Sequence, residues 1–297
     1  MEYLQVGNAD LKISRIGFGC MSLKPDRENE AIELLQMAVD MGINYFDTAD
    51  LYDKGWNETL VGKALKGKDV IIATKVGNQW RADGSGWDWN PRKEYILKEV
   101  EESLKRLQTT CIDLYQLHGG TIEDPIDETI EAFELLKTQG KIRYYGISSI
   151  RPNVIREYVK RSSIVSVLTQ YSMADRRPEE STLGLLQKNH IGVISRGALA
   201  QGLLVNKPAK DYLGHSASDI QQAVSFIHSI SDSTRSAAQT AIQFVLKHPA
   251  LTSAIIGIRT AEQLKEAVGA INAKQLTESE YEELQKILPA KQYADHR

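Results

Sequence analysis

IDLYQLHGGTIEDPIDETIEAFELLKTQGKIRYYGISS (112–149) is one complete structural unit. It opens on an apolar run, 112–118, passes through a helical stretch over 126–139 that stops at Gly140, and returns to a second apolar run, 142–149. Near-continuous apolar strands are expected where both faces are buried, and a helical crossover joins such strands in parallel. The same alternation extends both ways. Upstream, strands are predicted at 15–20, 45–49 and 70–76, and helices at 28–41, 57–66 and 92–107, with Pro91 at the entrance of the last. Downstream, strands at 164–170, 192–198 and 253–258 alternate with helices at 153–161, 179–190, 232–248 and 261–272. A last helix over 278–288 follows Thr277, with Glu280 three residues on as a capping box. Residues 1–14 read as a hairpin around a polar turn.

Eight strand–helix units after a hairpin match a closed (β/α)8, or TIM, barrel. We therefore expect one α/β barrel domain over 1–297, with an N-terminal β-hairpin and an extra C-terminal helix and tail over 278–297. An open doubly wound sheet competes, but no G-x-G-x-x-G fingerprint follows any strand. Two connections, 77–91 and 199–231, are too long for plain links, and long structureless loops are usually functional. The first carries Trp80, Trp87 and Trp89, which could wall the pocket or pack on one another.

Composition narrows the function. The 297 residues are 42% hydrophobic and 25% charged, and 36 Lys and Arg against 39 Asp and Glu leave a net charge of −3. That balance makes no case for nucleic acid or an anionic membrane as partner. No window approaches the ~18 apolar residues of a membrane helix, and the opening residues lack a signal-peptide core. Cys20 and Cys111, in apolar runs, read as two buried reduced thiols, with no metal site. The expected setting is the cytoplasm, and without a heptad seam the expected state is a monomer.

In such a barrel the chemistry sits at the C-terminal ends of the strands. Asp47 and Lys75 end two strands, His118 ends a third, and Tyr52 lies in the loop after Asp47. Singly, Asp47 could cap a turn, Tyr52 could be rim packing and His118 a satisfied core histidine. Lys75 is harder to explain away, because a lysine in an apolar strand is seldom buried without a partner. Together they place an acid, a phenol, an ammonium and an imidazole at one mouth.

FDTADLY (46–52), the lysine of IIATKVG (71–77), the histidine of IDLYQLH, GISS (146–149), the glutamine of LTQYS (168–172) and IIGIRTAEQLKEA (255–267) together resemble the aldo-keto reductase superfamily, most nearly its bacterial NADPH-using branch. The likeness runs in order over nearly the whole chain. It implies NADPH-dependent reduction of a small-molecule aldehyde or ketone, with Asp47, Tyr52, Lys75 and His118 as catalytic tetrad. The chemistry agrees: a phenol with a pKa of ~10 is a poor acid, and an adjacent ammonium lowers that pKa. Asp47 would keep Lys75 charged, and a neutral His118 could donate to the carbonyl oxygen.

The resemblance also implies cofactor contacts. Ser148, Ser149 and Gln170 would hold the nicotinamide carboxamide, although many relatives have Asn in place of Ser149. Ser195, Arg196, Gly197, Leu199, Gln201 and Gly202 would run beneath the nicotinamide and along the pyrophosphate. Arg196 stands where many relatives are aromatic; it could stack on the ring or pair with a carboxylate or phosphate elsewhere. Gly257, Ile258, Arg259, Gln263 and Glu266 would take the adenosine 2′-phosphate, with Ala267 in place of a frequent Asn. Gly19, Cys20 and Met21 would lie beside the ribose, next to Asp47. Gly119 and Gly120 replace bulkier residues and are expected to leave room or mobility beside the carbonyl. An apolar or amphiphilic carbonyl is the natural substrate, with a sugar or polyol carbonyl still open. Two other readings fit parts of the pattern: an NADPH-binding regulatory or interaction module with weak residual reductase activity, and a phosphate-handling barrel that leaves the tetrad unexplained.

Overall fold

The computed structural model describes all residues, Met1–Arg297. A hairpin of β1 (Tyr3–Gln5) and β2 (Lys12–Ser14) leads into β3 (Ile16–Gly19), α1 (Glu28–Asp40), β4 (Tyr45–Asp47), α2 (Trp56–Leu65) and β5 (Ile71–Val76). A second hairpin, β6 (Asn78–Trp80) and β7 (Trp87–Trp89), precedes α3 (Lys93–Leu107), β8 (Ile112–Leu117), α4 (Ile126–Thr138), β9 (Ile142–Ser148) and α5 (Pro152–Arg161). The chain closes with β10 (Ser166–Gln170), α6 (Thr182–Lys188), β11 (Gly192–Arg196), α7 (Ala217–Ser229), α8 (Ala237–Lys247), β12 (Leu251–Gly257), α9 (Ala261–Gly269) and α10 (Glu278–Ile287). The eight parallel strands close in the order β3-β4-β5-β8-β9-β10-β11-β12. This is the expected (β/α)8 barrel.

Apolar residues fill two layers. Side chains facing the helices build the main core, among them Leu35, Phe46, Val100, Phe133, Ile147 and Ile242. Inside the barrel, Tyr45, Ala73, Leu114, Leu168, Ile194 and Ile255 meet Val6, Ala9, Leu11 and Ile13 of the N-terminal hairpin segment. That segment plugs the N-terminal end and leaves the C-terminal end for a site. No helix is long and apolar enough to cross a membrane.

The structure corrects several expectations. The 77–91 connection is not structureless: Asn78 pairs with Trp89 and Trp80 with Trp87 in an antiparallel ladder. The 199–231 connection contains α7, started by a capping box of Ser216 and Asp219. Its Ile220, Ala223 and Ile227 bury against Phe244 and Leu284 in a satellite core. That spacing is the i, i+3, i+7 signal of an amphipathic helix and was legible. The helix expected over 179–190 is a short 3-10 turn (177–180) followed by α6. Cys20 is buried as expected, but Cys111 is only half-buried, because it stands just before β8 rather than within it. The box at Thr277 and Glu280 forms as read.

Helices α2 and α3 touch through backbone. A Cβ on Gly62 would fall 2.5 Å from the Leu107 carbonyl carbon and 2.6 Å from the Arg106 oxygen. Backbone cannot retreat as a flexible side chain can, so Gly62→Ala should cost roughly 1–3 kcal/mol. Urea unfolding checks this; wild-type stability in the variant would mean that the helices are free to separate.

Candidate active site

Strand parity assembles the mouth. Side chains alternate between faces, so the residues two beyond the interior layer (Asp47, Lys75, Gln116, Gln170, Arg196 and Gly257) share its direction at the open end. His118 lies two residues beyond Gln116, its N–H held by the Val76 carbonyl at 2.8 Å.

Lys75 is the hub. Its ammonium is 1% exposed and donates to Asp47 Oδ1 at 2.5 Å, to the Thr48 carbonyl at 2.7 Å and to the Tyr52 hydroxyl at 3.4 Å. Gln116 Nε2 donates to the other Asp47 oxygen at 3.4 Å. The Tyr52 and His118 rings meet edge to face with centroids 5.8 Å apart. His118 Nδ1 is buried without a partner, which leaves Nε2 as the nitrogen available to a ligand. All four sequence-predicted tetrad residues therefore converge.

The electrostatics follow from burial and pairing. Burial alone would push the Lys75 ammonium down, but the Asp47 carboxylate and the Tyr52 oxygen more than offset it, so it stays charged. Burial raises the Asp47 carboxyl against the pull of Lys75. Burial also pushes the Tyr52 phenol above its ordinary value, and the opposing pull of Lys75 is partly cancelled by Asp47. The expectation of an acidified phenol is thus corrected: in the free site Tyr52 stays protonated, because burial outweighs the pull of Lys75, which Asp47 partly cancels. Burial, with Lys75 and Arg196 nearby, pushes His118 down to about 3, so its imidazole is neutral.

The expected cofactor residues are mixed. Gln170 is spanned: Arg196 Nη1 donates to its Oε1 at 3.0 Å, and its Nε2 donates to the Tyr212 hydroxyl at 3.2 Å. Arg196 here pairs with an amide, which neither sequence alternative named. Ser195 has the opposite parity; its hydroxyl lies 3.5 Å from the Ser253 carbonyl, leaving only its main chain for a ligand. Ser148 ends β9 half-buried, while buried Ser149 accepts from the Arg151 N–H at 3.1 Å. Gly197, Gln201 and Gly202 adopt left-handed backbone at φ 83°, 61° and 91°, which turns the chain sharply past half-buried Leu199. Gly19 and Cys20 are buried beside the mouth, whereas Met21 is exposed.

At the eighth unit, Gly257 opens a floor: a Cβ there would meet nothing nearer than Ser22 Oγ at 3.7 Å. Ile258 is buried, and exposed Arg259 and Gln263 flank the α9 N-terminus, where Gln263 Oε1 accepts from the Arg259 N–H at 2.9 Å. Glu266 is engaged by Ser236 Oγ at 2.7 Å, and Ala267 is buried.

Sequence reasoning missed Gln116, Tyr212 and the tryptophan contacts. Gln116 was findable, since it shares the strand face of His118. Tyr212 sits in the part of the 199–231 connection before α7, which has no periodic signal. The room expected beside Gly119 and Gly120 is bounded: the Trp89 ring lies at contact distance, 3.5 Å, from where a Gly119 Cβ would stand, and Asp124 Oδ2 at 3.5 Å from that of Gly120.

A sequence model described as "Aldo/keto reductase family" matches residues 15–289. "Uncharacterized oxidoreductase YqkF" of Bacillus subtilis (strain 168) is 49% identical, with all of both chains covered. Aldo-keto reductase AKR11C1 from Bacillus halodurans in its holo form superposes with a TM-score of 0.94 at 48% identity, covering all of this chain and 99% of that one. Its apo form gives 0.86 at 46% identity over the same shares.

Two outcomes are expected. Lys75→Met strands the Asp47 carboxylate and should destabilise by about 3–5 kcal/mol, and adding Asp47→Asn should recover part of the loss in urea unfolding; an additive double variant would contradict a coupled pair. In nuclear magnetic resonance titration, His118 should stay neutral down to about pH 4, whereas protonation near pH 6 would contradict its burial.

Proposed function

The chain belongs to the aldo/keto reductase family, and from that premise we propose that it reduces aldehydes and ketones to alcohols with NADPH, as a monomeric single-domain barrel in the cytoplasm. The observation that carries this reading is the reach of one buried ammonium to both Asp47 and Tyr52, with His118 edge-on to the phenol.

The residues fit the cofactor. Gln170 offers an amide complementary to a carboxamide, the Gly257 floor leaves room where a Cβ would stand, and the N-terminus of α9 favours an anion. Arg259 makes no ion pair within the chain and is free for a phosphate. The closer superposition on the holo form of the AKR11C1 neighbour than on its apo form supports the same reading.

When bound, NADPH would supply the hydride that the carbonyl carbon takes. Tyr52, kept protonated by burial, gives its hydroxyl proton to the carbonyl oxygen, so hydride on carbon and proton on oxygen complete the alcohol. Lys75 stabilises the phenolate left behind until solvent reprotonates it, and Asp47 keeps Lys75 charged. His118, neutral, donates its Nε2–H to the same oxygen, fixing its orientation and stabilising developing charge. The Arg196 charge, felt by Asp47, Tyr52 and His118 alike, disfavours an oxidised, cationic nicotinamide nearby.

An apolar or amphiphilic carbonyl suits the rim. Of the five exposed large hydrophobic side chains, Met21, Trp87, Ile122 and Ile150 stand on connections that follow barrel strands. Apolar area gathered around a mouth marks a binding surface.

Tyr52→Phe should abolish NADPH-dependent turnover of an aldehyde panel while leaving NADPH affinity intact; a variant at wild-type rate would remove Tyr52 from the proton step. Arg259→Ala should weaken NADPH and leave NADH unchanged, and equal losses for both would place the 2′-phosphate elsewhere.

A further inference from the structure

The β6–β7 hairpin rises from the end of β5, the strand between β4 and β8 in the barrel wall. Its neighbours on either side carry the Tyr52 loop and the His118 loop. On one side, Trp80 Nε1 donates to the Leu51 carbonyl at 3.2 Å, one residue before Tyr52. Lys54 lies over the Trp80 ring, its ammonium 5.1 Å from the centroid, and reaches the Gly84 carbonyl at the hairpin turn. On the other side, Trp89 Nε1 lies 3.1 and 3.0 Å from the two Asp124 oxygens. Asp124 in turn accepts from the Thr121 N–H at 2.7 Å and hydroxyl at 3.0 Å, so the loop after His118 is folded on itself and tied to the indole. Asn78, at the hairpin base, reaches the His118 carbonyl at 3.4 Å.

Both loops need such a hold. Asp53, Lys54 and Gly55, directly after Tyr52, have φ of 48°, 57° and 82°. Non-glycine residues in that region are uncommon and strained, and persist only where the surroundings impose them. Gly119 and Gly120, directly after His118, have φ of 135° and 114°, and glycine backbone of this kind stays loose without an external contact. The Trp89 ring supplies one: it lies 2.6 Å from where a Gly77 Cβ would be, too close for one, and packs at contact distance, 3.5 Å, from that of Gly119.

We propose that this hairpin is a brace between the proton donor and the carbonyl-orienting histidine, with Trp80 the positioning residue for Tyr52 and Trp89 the positioning residue for His118. The inference rests on the carbonyl-reduction reading. Two side chains that must meet one oxygen sit on loops of different strands, and the brace sets the distance between them. Catalytic geometry is steeply sensitive to such placement.

The test combines amide hydrogen exchange with kinetics on the full chain for Trp80→Phe, Trp89→Phe and Lys54→Ala. Trp80→Phe keeps an aromatic ring but loses its donor; it should speed exchange over residues 49–56 and leave 118–124 unchanged. Trp89→Phe should do the reverse. Each should lower kcat for a reactive aldehyde by about tenfold with NADPH affinity unchanged. Trp80→Phe should also move the alcohol-oxidation pH profile upward, because Tyr52 drifts from Lys75, while Trp89→Phe leaves that profile in place. Lys54→Ala, at the exposed side of the indole, should act like a weaker Trp80→Phe. Uniformly faster exchange across the barrel, unchanged exchange in both loops, or loosened loops with wild-type kcat would each overturn the brace. A wild-type protein that oxidises no NADPH would instead overturn the carbonyl-reduction reading, and the exchange measurements would still decide the brace.

Discussion

A lysine ammonium taken out of water must find partners for its three N–H donors or lose its charge. Lys75 finds them in the Asp47 carboxylate, the Thr48 carbonyl and the Tyr52 hydroxyl. All three belong to the end of β4 and the loop after it, so one cation on β5 dictates how the neighbouring connection must fold. Costly features surround it. The loop passes through consecutive left-handed residues. Behind it, buried Glu58 takes hydrogen bonds from Thr74 at 2.5 Å and from Arg106 at 2.6 Å. Asp50 lies buried with one oxygen unpartnered, and burial together with Glu58 and Glu99 pushes its carboxyl well above the usual range.

The same pairing sets the chemistry. A lone ammonium beside a phenol would make it more acidic, but an ammonium already paired with a carboxylate offers less. Burial then wins, and the resting site holds a neutral phenol and a neutral imidazole around a closed ion pair. In the proposed reduction a neutral phenol is the form that gives up a proton, and the ammonium counts once the proton has left. The site is prepared for the charge of the later state rather than the first, which is where preorganised donors are worth most.

The barrel was legible because the strands are apolar runs and helices separate them at regular spacing. The tetrad was legible because parity carries Asp47, Lys75 and His118 to one end and a lysine in such a strand demands a partner. Elsewhere the sequence was silent or ambiguous for physical reasons. Whether Arg196 would stack or pair depended on Gln170, which lies on a different strand and becomes its neighbour only through the β10–β11 register. The three tryptophans of 77–91 share one face of a short hairpin, yet the indole contacts that matter reach Leu51 and Asp124, tens of residues away. The two glycines after His118 suggested space, and only a tryptophan folded back from β7 shows where that space ends. The sign of the Tyr52 shift required knowing how deeply the phenol is buried, and then that Asp47 offsets part of the pull of Lys75.

The account stands on Tyr52 as a proton donor held by Lys75 and facing a carbonyl beside bound NADPH. Single-turnover mixing of the NADPH-loaded protein with a reactive aldehyde, followed by nicotinamide absorbance, tests that most directly. The expected result is a loss of absorbance that saturates with aldehyde concentration and yields one alcohol per NADPH oxidised. Absorbance that stays constant at every aldehyde concentration, with NADPH still bound, would contradict it.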